Sequence, residues 1–147
     1  MAIRGRDGRL LADEWTHGPR TLLGLAVHGF PNFFTMTGPG STTVLSNVLR
    51  AIEHHAEWLV DLLDHARARD LVTIEATAAA QQDWTEQVRA AAARTLYRFA
   101  DSYYVGANIP GKARGLIPYS GGLDRYRAIC ADIASDKYRG FDLARVR

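Results

Sequence analysis

Residues 29–49 are GFPNFFTMTGPGSTTVLSNVL, and the order of residue types in this stretch decides which fold the chain can adopt. Residues 33–37 are aromatic, β-branched or apolar and lie between turn-forming residues, which predicts a short buried strand. The Gly-Pro-Gly at residues 38–40 ends the strand, because proline cannot donate to a ladder and glycine accepts unusual backbone angles. The Ser-Thr-Thr at residues 41–43 then offers side-chain oxygens as N-caps for a long amphipathic helix.

A strand, a glycine turn and a capped helix in this order direct several unpaired backbone N–H groups at one corner. Such a corner attracts negative charge, either from a phosphate or from an electron-rich ring. Geometry alone favours an ordinary strand-to-helix turn over a ligand site. The pattern therefore needs support from elsewhere in the chain.

The remaining pattern predicts a mostly α fold with a few short strands. The first long helix is expected to end near residues 69–70, and its inward face to contain Val44, Leu45, Val48, Leu49, Ile52, Ala56, Leu59, Val60 and Leu63. A second helix is predicted over residues 77–99, with Trp84, Val88, Ala91, Ala92, Leu96 and Phe99 inward. A third is predicted from residue 121 to about residue 135, with Leu123, Tyr126, Ile129, Cys130 and Ile133 inward. Short extended segments are expected at residues 21–26, 72–75 and 138–146.

Composition restricts the possible classes of function. The chain has 147 residues, of which 47% are hydrophobic, and this suffices for one domain that buries roughly 70% of its unfolded surface. A formal charge of +2 indicates no polyanionic partner, so nucleic-acid binding is not expected. The absence of a charged-then-apolar leader and of any run of ~18 apolar residues predicts no membrane association and a cytoplasmic location. The single cysteine, Cys130, excludes an internal disulfide and is expected to be buried.

No constellation of catalytic residues is recognisable. The serines lack a G-x-S-x-G context, and no HExxH is present, so neither a hydrolase nor a metal site is predicted. His54 and His55 are adjacent, and adjacent positions do not share a helical face, so surface or capping roles are expected for them.

Two blocks resemble the type I Baeyer–Villiger monooxygenases, which are FAD- and NADPH-dependent enzymes of the cyclohexanone and phenylacetone monooxygenase kind. The first is GFPNFFTMTGPGSTTVLSNVLRAIEHHAEW at residues 29–58, which resembles a C-terminal segment of their flavin domain. The second is DSYYVGANIPGKAR at residues 101–114, which resembles their mobile control loop. The blocks occur in the family's order, and the resemblance extends from about residue 3 to residue 143.

The resemblance implies the C-terminal part of a flavoprotein fold with two dinucleotide-binding domains. Residues 1–28 would be the tail of the NADP-domain side and the crossover. Residues 29–147 would belong to the FAD-binding domain and include the control loop at residues 101–120. The family's two Gly-rich dinucleotide motifs and its catalytic arginine have no counterpart here, so the chain is interpreted as a C-terminal piece or a truncated relative.

The resemblance also implies site residues, none of them catalytic. The flavin ring would lie against the turn, with the helix N-terminus facing its N1/C2 carbonyl edge. The implied FAD contacts are Gly38, Pro39, Gly40, Ser41, Asn47 and Val48. The implied NADP contacts in the control loop are Tyr103, Asn108 and Lys112, although Tyr103 stands where the family usually has tryptophan. The implied border of the substrate pocket is Thr42, Thr43, Val44 and Leu45.

The activity implied for the whole enzyme is insertion of oxygen into a ketone through a flavin peroxide, which yields an ester or lactone. Its partners would be a ketone and molecular oxygen, and this chain would pair with a missing N-terminal chain or with itself. Two alternatives remain open from the sequence. One is a non-catalytic remnant or a partner-dependent subunit without activity of its own, and the other is an independent small enzyme.

Overall fold

The computed structural model describes residues 2–42, 46–108, 110–111 and 114–145. Short 3-10 turns occupy Arg6–Gly8, Leu96–Phe99 and Tyr103–Val105. The regular elements are α1 (Leu11–Glu14), α2 (Val48–Arg67), β1 (Thr73–Ala76), α3 (Ala78–Ala93), α4 (Leu123–Ser135) and β2 (Phe141–Ala144). This confirms the predicted class, which was mostly helix with few strands. Among the described residues, no helix combines the length and the apolar character needed to cross a membrane.

The main core lies between the three long helices and a two-stranded sheet. Strands β1 and β2 pair antiparallel, with Ile74 opposite Leu143 and Ala76 opposite Phe141. Strand β1 confirms the segment predicted at residues 72–75 to within one residue. Of the segment predicted at residues 138–146, only Phe141–Ala144 is a strand, because Tyr138 has a left-handed φ of +60° and residues 138–140 form a turn. The core is apolar and aromatic, and its members include Leu25, Trp58, Leu62, Ala76, Trp84, Tyr126 and Cys130.

A second, smaller cluster forms near the N-terminus and is fastened to the sheet by Glu75. Leu11, Val27 and Phe30 form this cluster. The buried carboxylate of Glu75 accepts the backbone N–H of Gly29 at 2.8 Å through Oε1. Its Oε2 atom accepts Nε–H of Arg6 at 2.7 Å. One side chain of β1 thus connects the sheet to Arg6 and Gly29 beside this cluster.

Replacing Glu75 with alanine is expected to lower the free energy of unfolding by about 2 kcal/mol, because the buried N–H of Gly29 loses its acceptor. The partly exposed Arg6 can turn to water, so its ion pair adds little to this cost. Urea denaturation measures the change. The exposed Glu53, replaced in the same way, is the control, and equal midpoints for the two variants would contradict the fastening role.

The strand predicted at residues 33–37 is wrong, and so is the one at residues 21–26. Only isolated antiparallel bridges form there, between Leu22 and Ala26 and between Ala26 and Phe34. The physical reason is backbone conformation, since Leu23 and Thr37 have φ values of +58° and +51°. A residue with a left-handed backbone conformation, inside a predicted strand or at its end, prevents the segment from forming a continuous extended strand.

Helix α2 begins later than the sequence predicts. Its N-cap is Asn47, whose Oδ1 atom accepts the backbone N–H of Arg50 at 3.3 Å, and not one of residues 41–43. Ser41 lies seven residues before the first residue of α2, and its hydroxyl donates back to Gly38 O at 2.8 Å. Residues 43–45 lie outside the described residues, and so do the interpretations placed on them. The end of α2 at Arg67 is close to the predicted end.

The inward face predicted for α2 is also wrong. The residues that the chain buries are Ala51, His55, Trp58, Leu62 and Ala66. The predicted face is largely exposed instead: Leu49 is 71% exposed, Val60 54% and Leu63 47%. The buried residues and the exposed apolar residues both recur at helical spacing. The sequence pattern therefore could not show which of these two stripes faces the core of this chain. The helix therefore carries a second apolar stripe that the described residues leave uncovered.

The other two helices agree better with the prediction. Helix α3 buries Trp84 and Val88 but ends at Ala93, and Leu96 and Phe99 are exposed in the 3-10 turn beyond it. Helix α4 starts directly after Gly122 and buries Tyr126, Cys130 and Ile133. Burial raises the pKa of the Cys130 thiol to about 12, which confirms a buried and unreactive cysteine.

Candidate functional site

The turn at residues 38–42 is held from several sides by hydrogen bonds. Thr21 Oγ1 donates to Pro39 O at 2.6 Å, and Trp84 Nε1 donates to Gly40 O at 3.1 Å. The backbone N–H of Gly40 donates to Ile117 O at 2.8 Å. These partners come from a preceding turn, from α3 and from the predicted control loop at residues 101–120. The turn is therefore rigid and central to the fold.

Ser41, the residue of the turn after Gly40, packs closely against Gly24. Ser41 is fully buried, and its carbonyl accepts the backbone N–H of Tyr119 at 2.7 Å. Gly24, at φ +73°, approaches so closely that an added Cβ would lie 2.6 Å from Ser41 Cβ. Only glycine combines this backbone angle with this separation.

Replacing Gly24 with alanine is expected to destabilise the fold by about 2 kcal/mol, because the new methyl group overlaps Ser41 and the backbone angle becomes strained. Differential scanning calorimetry measures the loss. The matched control is the same replacement at Gly115, where a Cβ would meet no atom within 4 Å. A Gly24 variant as stable as the Gly115 variant would show that the turn can move away.

Thr42 and the start of α2 form one corner with this turn. Ser46 Oγ donates to Thr42 O at 3.4 Å, so the end of the turn lies beside the N-cap region. The hydroxyl of Thr42 is buried and has no hydrogen-bond partner among the described residues. Within the same residues, no acceptor is bonded to the backbone N–H of Val48 or Leu49. The structure thus brings together the predicted residues Gly38, Pro39, Gly40, Ser41, Thr42, Asn47 and Val48.

The corner is suited to an uncharged or anionic acceptor atom. Helix α2 has 20 residues, and at its positive end the N–H groups of Val48 and Leu49 have no acceptor in the part of the chain that the structure describes. The orphan hydroxyl of Thr42 adds a side-chain group of the same kind. No group of three or more His, Cys, Asp or Glu in the described part of the chain could hold a metal ion. The donors therefore fit a polar organic group.

A chain of buried hydrogen bonds through His55 and Tyr126, called the relay below, lies behind the turn. The sequence did not indicate the relay. The backbone N–H of Thr37 donates to His55 Nδ1 at 3.0 Å. His55 Nε2 lies 2.8 Å from the hydroxyl of Tyr126, which donates to Leu23 O at 2.5 Å. The expected surface or capping role is wrong for His55, because it faces α4 and the core. Two signals pointed to the inward position of His55: its helical spacing from Ala51 and Trp58, and its match to a histidine of the family that the sequence resembles.

Burial is the main cause of the unusual acidity of this histidine. Burial, and then the neighbouring His54, lower the pKa of His55 from 6.5 to about 4. The ring is neutral near pH 7, as the bond from Thr37 to Nδ1 requires. Burial, followed by the charge of Arg127, also lowers the pKa of the half-buried His54, and Glu57 partly opposes this effect.

The predicted control loop is connected to the turn through backbone bonds. Ile117, which accepts from Gly40, donates its own N–H to Tyr104 O at 2.9 Å. Arg114 and Asp101 form an ion pair at 2.6 Å across the two ends of the loop. Tyr103 and Asn108 are exposed on it. Lys112 lies outside the described residues.

A cavity of about 400 Å³ lies between α3, the turn and the control loop. Thr21, Gly40 and Trp84 contribute to its wall, and so do the cationic Arg89 and Arg114. The volume is within the range that small ligands occupy. Its wall joins the control loop to the corner residues, so the two predicted sites share one region of the molecule.

Comparison with known proteins identifies the family. No protein-family model matches the sequence. The chain is 38% identical over 143 residues to an acetone monooxygenase (methyl acetate-forming) of Gordonia sp. (strain TY-5), covering 97% of this chain and 27% of that protein. It is 35% identical over 143 residues to a cyclohexanone 1,2-monooxygenase of Acinetobacter sp, covering 97% of this chain and 26% of that protein.

A solved structure shows the same correspondence in three dimensions. An oxidized steroid monooxygenase bound to NADP superposes with a TM-score of 0.92 and 41% identity, over 99% of this chain and 27% of that one. The chain thus spans about a quarter of the length of the relatives it matches. The turn, the start of α2 and the control loop all lie within the matched region. The chain therefore belongs to the Baeyer–Villiger monooxygenases and corresponds to a C-terminal segment of these flavoproteins.

Proposed function

We propose that this chain forms one wall of the flavin and substrate pocket, and the lid over NADP, in an enzyme that inserts oxygen into ketones. The observation that carries the proposal is the corner where the rigid turn meets the open N-terminus of α2. Relatives matched over 97% of the chain act on ketones according to their names, and one solved neighbour contains NADP. The ketone and the whole enzyme's activity are part of the proposal.

The corner residues would hold the polar edge of the FAD ring. The N–H groups of Val48 and Leu49 would donate to ring acceptors, and the helix dipole would favour negative charge there by roughly 0.3–1 kcal/mol. The backbone of residues 38–41 would lie against the ring, and the hydroxyl of Thr42 would gain a partner. Bound FAD would supply the oxygen chemistry and NADPH the reducing equivalents.

The control loop would supply the lid. Tyr103 is 59% exposed, and its hydroxyl can donate a hydrogen bond to NADP when the loop closes. Asn108 is exposed on the same loop, and Lys112 stays a predicted contact. The backbone path through Ile117 connects lid movement to the turn.

The exposed apolar stripe of α2 would be covered by the rest of the enzyme. Leu49, Val60 and Leu63 are 71%, 54% and 47% exposed, and contiguous exposed apolar side chains of this kind mark interaction surfaces. The dinucleotide-binding domains would bury this stripe, and self-association is the other predicted outcome for the chain alone. Residues 1–28 as the NADP-domain side and residues 29–147 as part of the FAD domain remain a prediction.

The test is a chimera in which this chain replaces the matching segment of the Gordonia acetone monooxygenase. The purified chimera is expected to be yellow, with flavin absorbance bands, and to oxidise NADPH faster when acetone is added. A folded chimera that stays colourless with added FAD would contradict the proposal and would favour a remnant without cofactor.

A second variant tests the corner directly. Val48 is the first residue of α2, where proline is compatible with the helix but has no N–H to donate, and the extended Asn47 before it tolerates proline. Val48→Pro in the chimera is expected to weaken FAD binding roughly three- to tenfold, which is the value of one hydrogen bond. Val48→Ala keeps the N–H and is the control. Equal FAD affinities for the two would exclude this contact.

A further inference from the structure

We propose that His55 and Tyr126 are positioning residues for the flavin-facing turn, because together they hold Thr37 in a strained conformation at the entrance to that turn. The link to flavin rests on the proposed function. The claim that His55 and Tyr126 hold Thr37 in place concerns only residues of this chain. Neither residue belongs to the predicted contacts of FAD, NADP or substrate.

Thr37 adopts a conformation that needs external support. Its φ is +51°, and a β-branched residue is a genuine outlier in the left-handed region. Strain of this kind persists only where the surroundings determine it, and it concentrates at functional sites. The direct support here is the bond from Thr37 N–H to His55 Nδ1 at 3.0 Å. The next residue is Gly38, the first of the turn.

The relay has only one possible direction. A backbone N–H can only donate, so Nδ1 of His55 is the acceptor and the proton of the neutral ring is on Nε2. Nε2–H then donates to the hydroxyl of Tyr126 at 2.8 Å. That hydroxyl donates in turn to Leu23 O. Each donor has one acceptor, so the ring cannot flip without leaving a buried group unpaired.

The same aromatic cluster holds the turn further along. The ring of Tyr126 lies 6.0 Å from that of Trp84 and 6.1 Å from that of Tyr119. Trp84 donates to Gly40 O, and Tyr119 donates its backbone N–H to Ser41 O. The entrance, middle and end of the turn are thus bonded to His55 on α2, Trp84 on α3 and Tyr119 before α4. The ring of Tyr126 on α4 lies beside the rings of all three. A substitution of His55 would remove the bond to Thr37 at the entrance of the turn, while the bonds from Trp84 and Tyr119 to Gly40 and Ser41 would remain.

The first test uses the chain itself. Amide hydrogen exchange by NMR is expected to be about tenfold faster at Thr37 in His55→Leu, which has no acceptor. His55→Asn places an acceptor oxygen near the position of Nδ1 and is expected to restore much of the protection. Tyr126→Phe removes the second half of the relay with little change of volume, and a shift of the His55 ring nitrogen signals is expected. Unchanged exchange and unchanged ring signals in these variants would overturn the proposal.

The second test uses the chimera and separates positioning from stability. His55→Leu is expected to shift the flavin absorbance bands and to lower the ester formed per NADPH consumed, with partial recovery in His55→Asn. The control is Leu62→Ala, which removes buried atoms from the same helix but has no polar atom that could bond to Thr37. Equal behaviour of His55→Leu and Leu62→Ala would overturn the positioning role. If the unmutated chimera bound no FAD, the proposed function would fail, while the exchange experiment would still decide the relay.

Discussion

Replacing Trp58 with alanine is expected to lower the free energy of unfolding by about 4 kcal/mol, the largest loss predicted for a single side chain. Trp58 is 5% exposed and packs edge-on against Tyr138, with ring centroids 5.2 Å apart. Its Nε1–H donates to Cys130 O at 2.9 Å, which joins α2 to α4. The substitution removes the ring contacts and the hydrogen bond and leaves a large cavity. Since a domain of this size is stable by only about 5–15 kcal/mol, much of its stability depends on this residue.

Two controls make the Trp58 prediction specific. Trp58→Phe keeps much of the ring packing and loses the hydrogen bond, so a loss of about 1–2 kcal/mol is expected. Leu63→Ala lies on the exposed stripe of the same helix and is expected to cost under about 1 kcal/mol. Guanidinium denaturation measures all three. If Leu63→Ala cost as much as Trp58→Ala, the assignment of the buried face would be wrong.

Acidification from pH 6.5 to pH 4 is expected to remove about 3 kcal/mol of stability through His55. Burial lowers the pKa of His55 in the folded chain to about 4, while the unfolded chain titrates near 6.5. Between these values the unfolded state binds more protons, so stability falls as the pH falls. The contribution is complete above pH 6.5 and is lost toward pH 4. Protonation at Nδ1 would also break the bond from Thr37.

The variant His55→Asn isolates this effect, because it cannot titrate. Its denaturation midpoint is expected to change less between pH 6.5 and pH 4 than that of the unmodified chain. The charge of His54 contributes to the lowered pKa of His55, so the difference between the two profiles reports His55 together with its coupling to His54. Direct NMR titration of the ring checks the pKa. Parallel pH profiles for the two proteins would show that burial of His55 carries no such cost.

Local signals were sufficient for several elements. The pair Gly121-Gly122 ends one segment and opens the next, and α4 follows directly. Thr77 lies before an alanine-rich run and caps α3, because its side chain accepts the N–H of Ala80. The alternation at residues 72–75 corresponds to β1. For α3 and α4 the atoms that decide where the helix begins are within a few residues of one another, whereas β1 also needs its distant partner β2.

The predictions that failed for the buried face of α2 and for residues 33–37 depend on distant atoms. In α2 both apolar stripes have helical period, and only the positions of α4 and the sheet decide that Trp58 is buried and Leu63 is not. At Thr37 the backbone angle depends on an acceptor from His55, eighteen residues away. A pattern of residue types contains neither the partner nor its position.

The sequence by itself determined the family and the mostly helical class, because these follow from resemblance and from the spacing of apolar residues. Only the tertiary structure decided which side of α2 is buried, where that helix begins and how the turn is held. The physical reason is that packing and long-range hydrogen bonds choose between conformations that are locally equivalent. His55 illustrates this most clearly, since its role exists only when Tyr126 and Thr37 are brought to its two nitrogens.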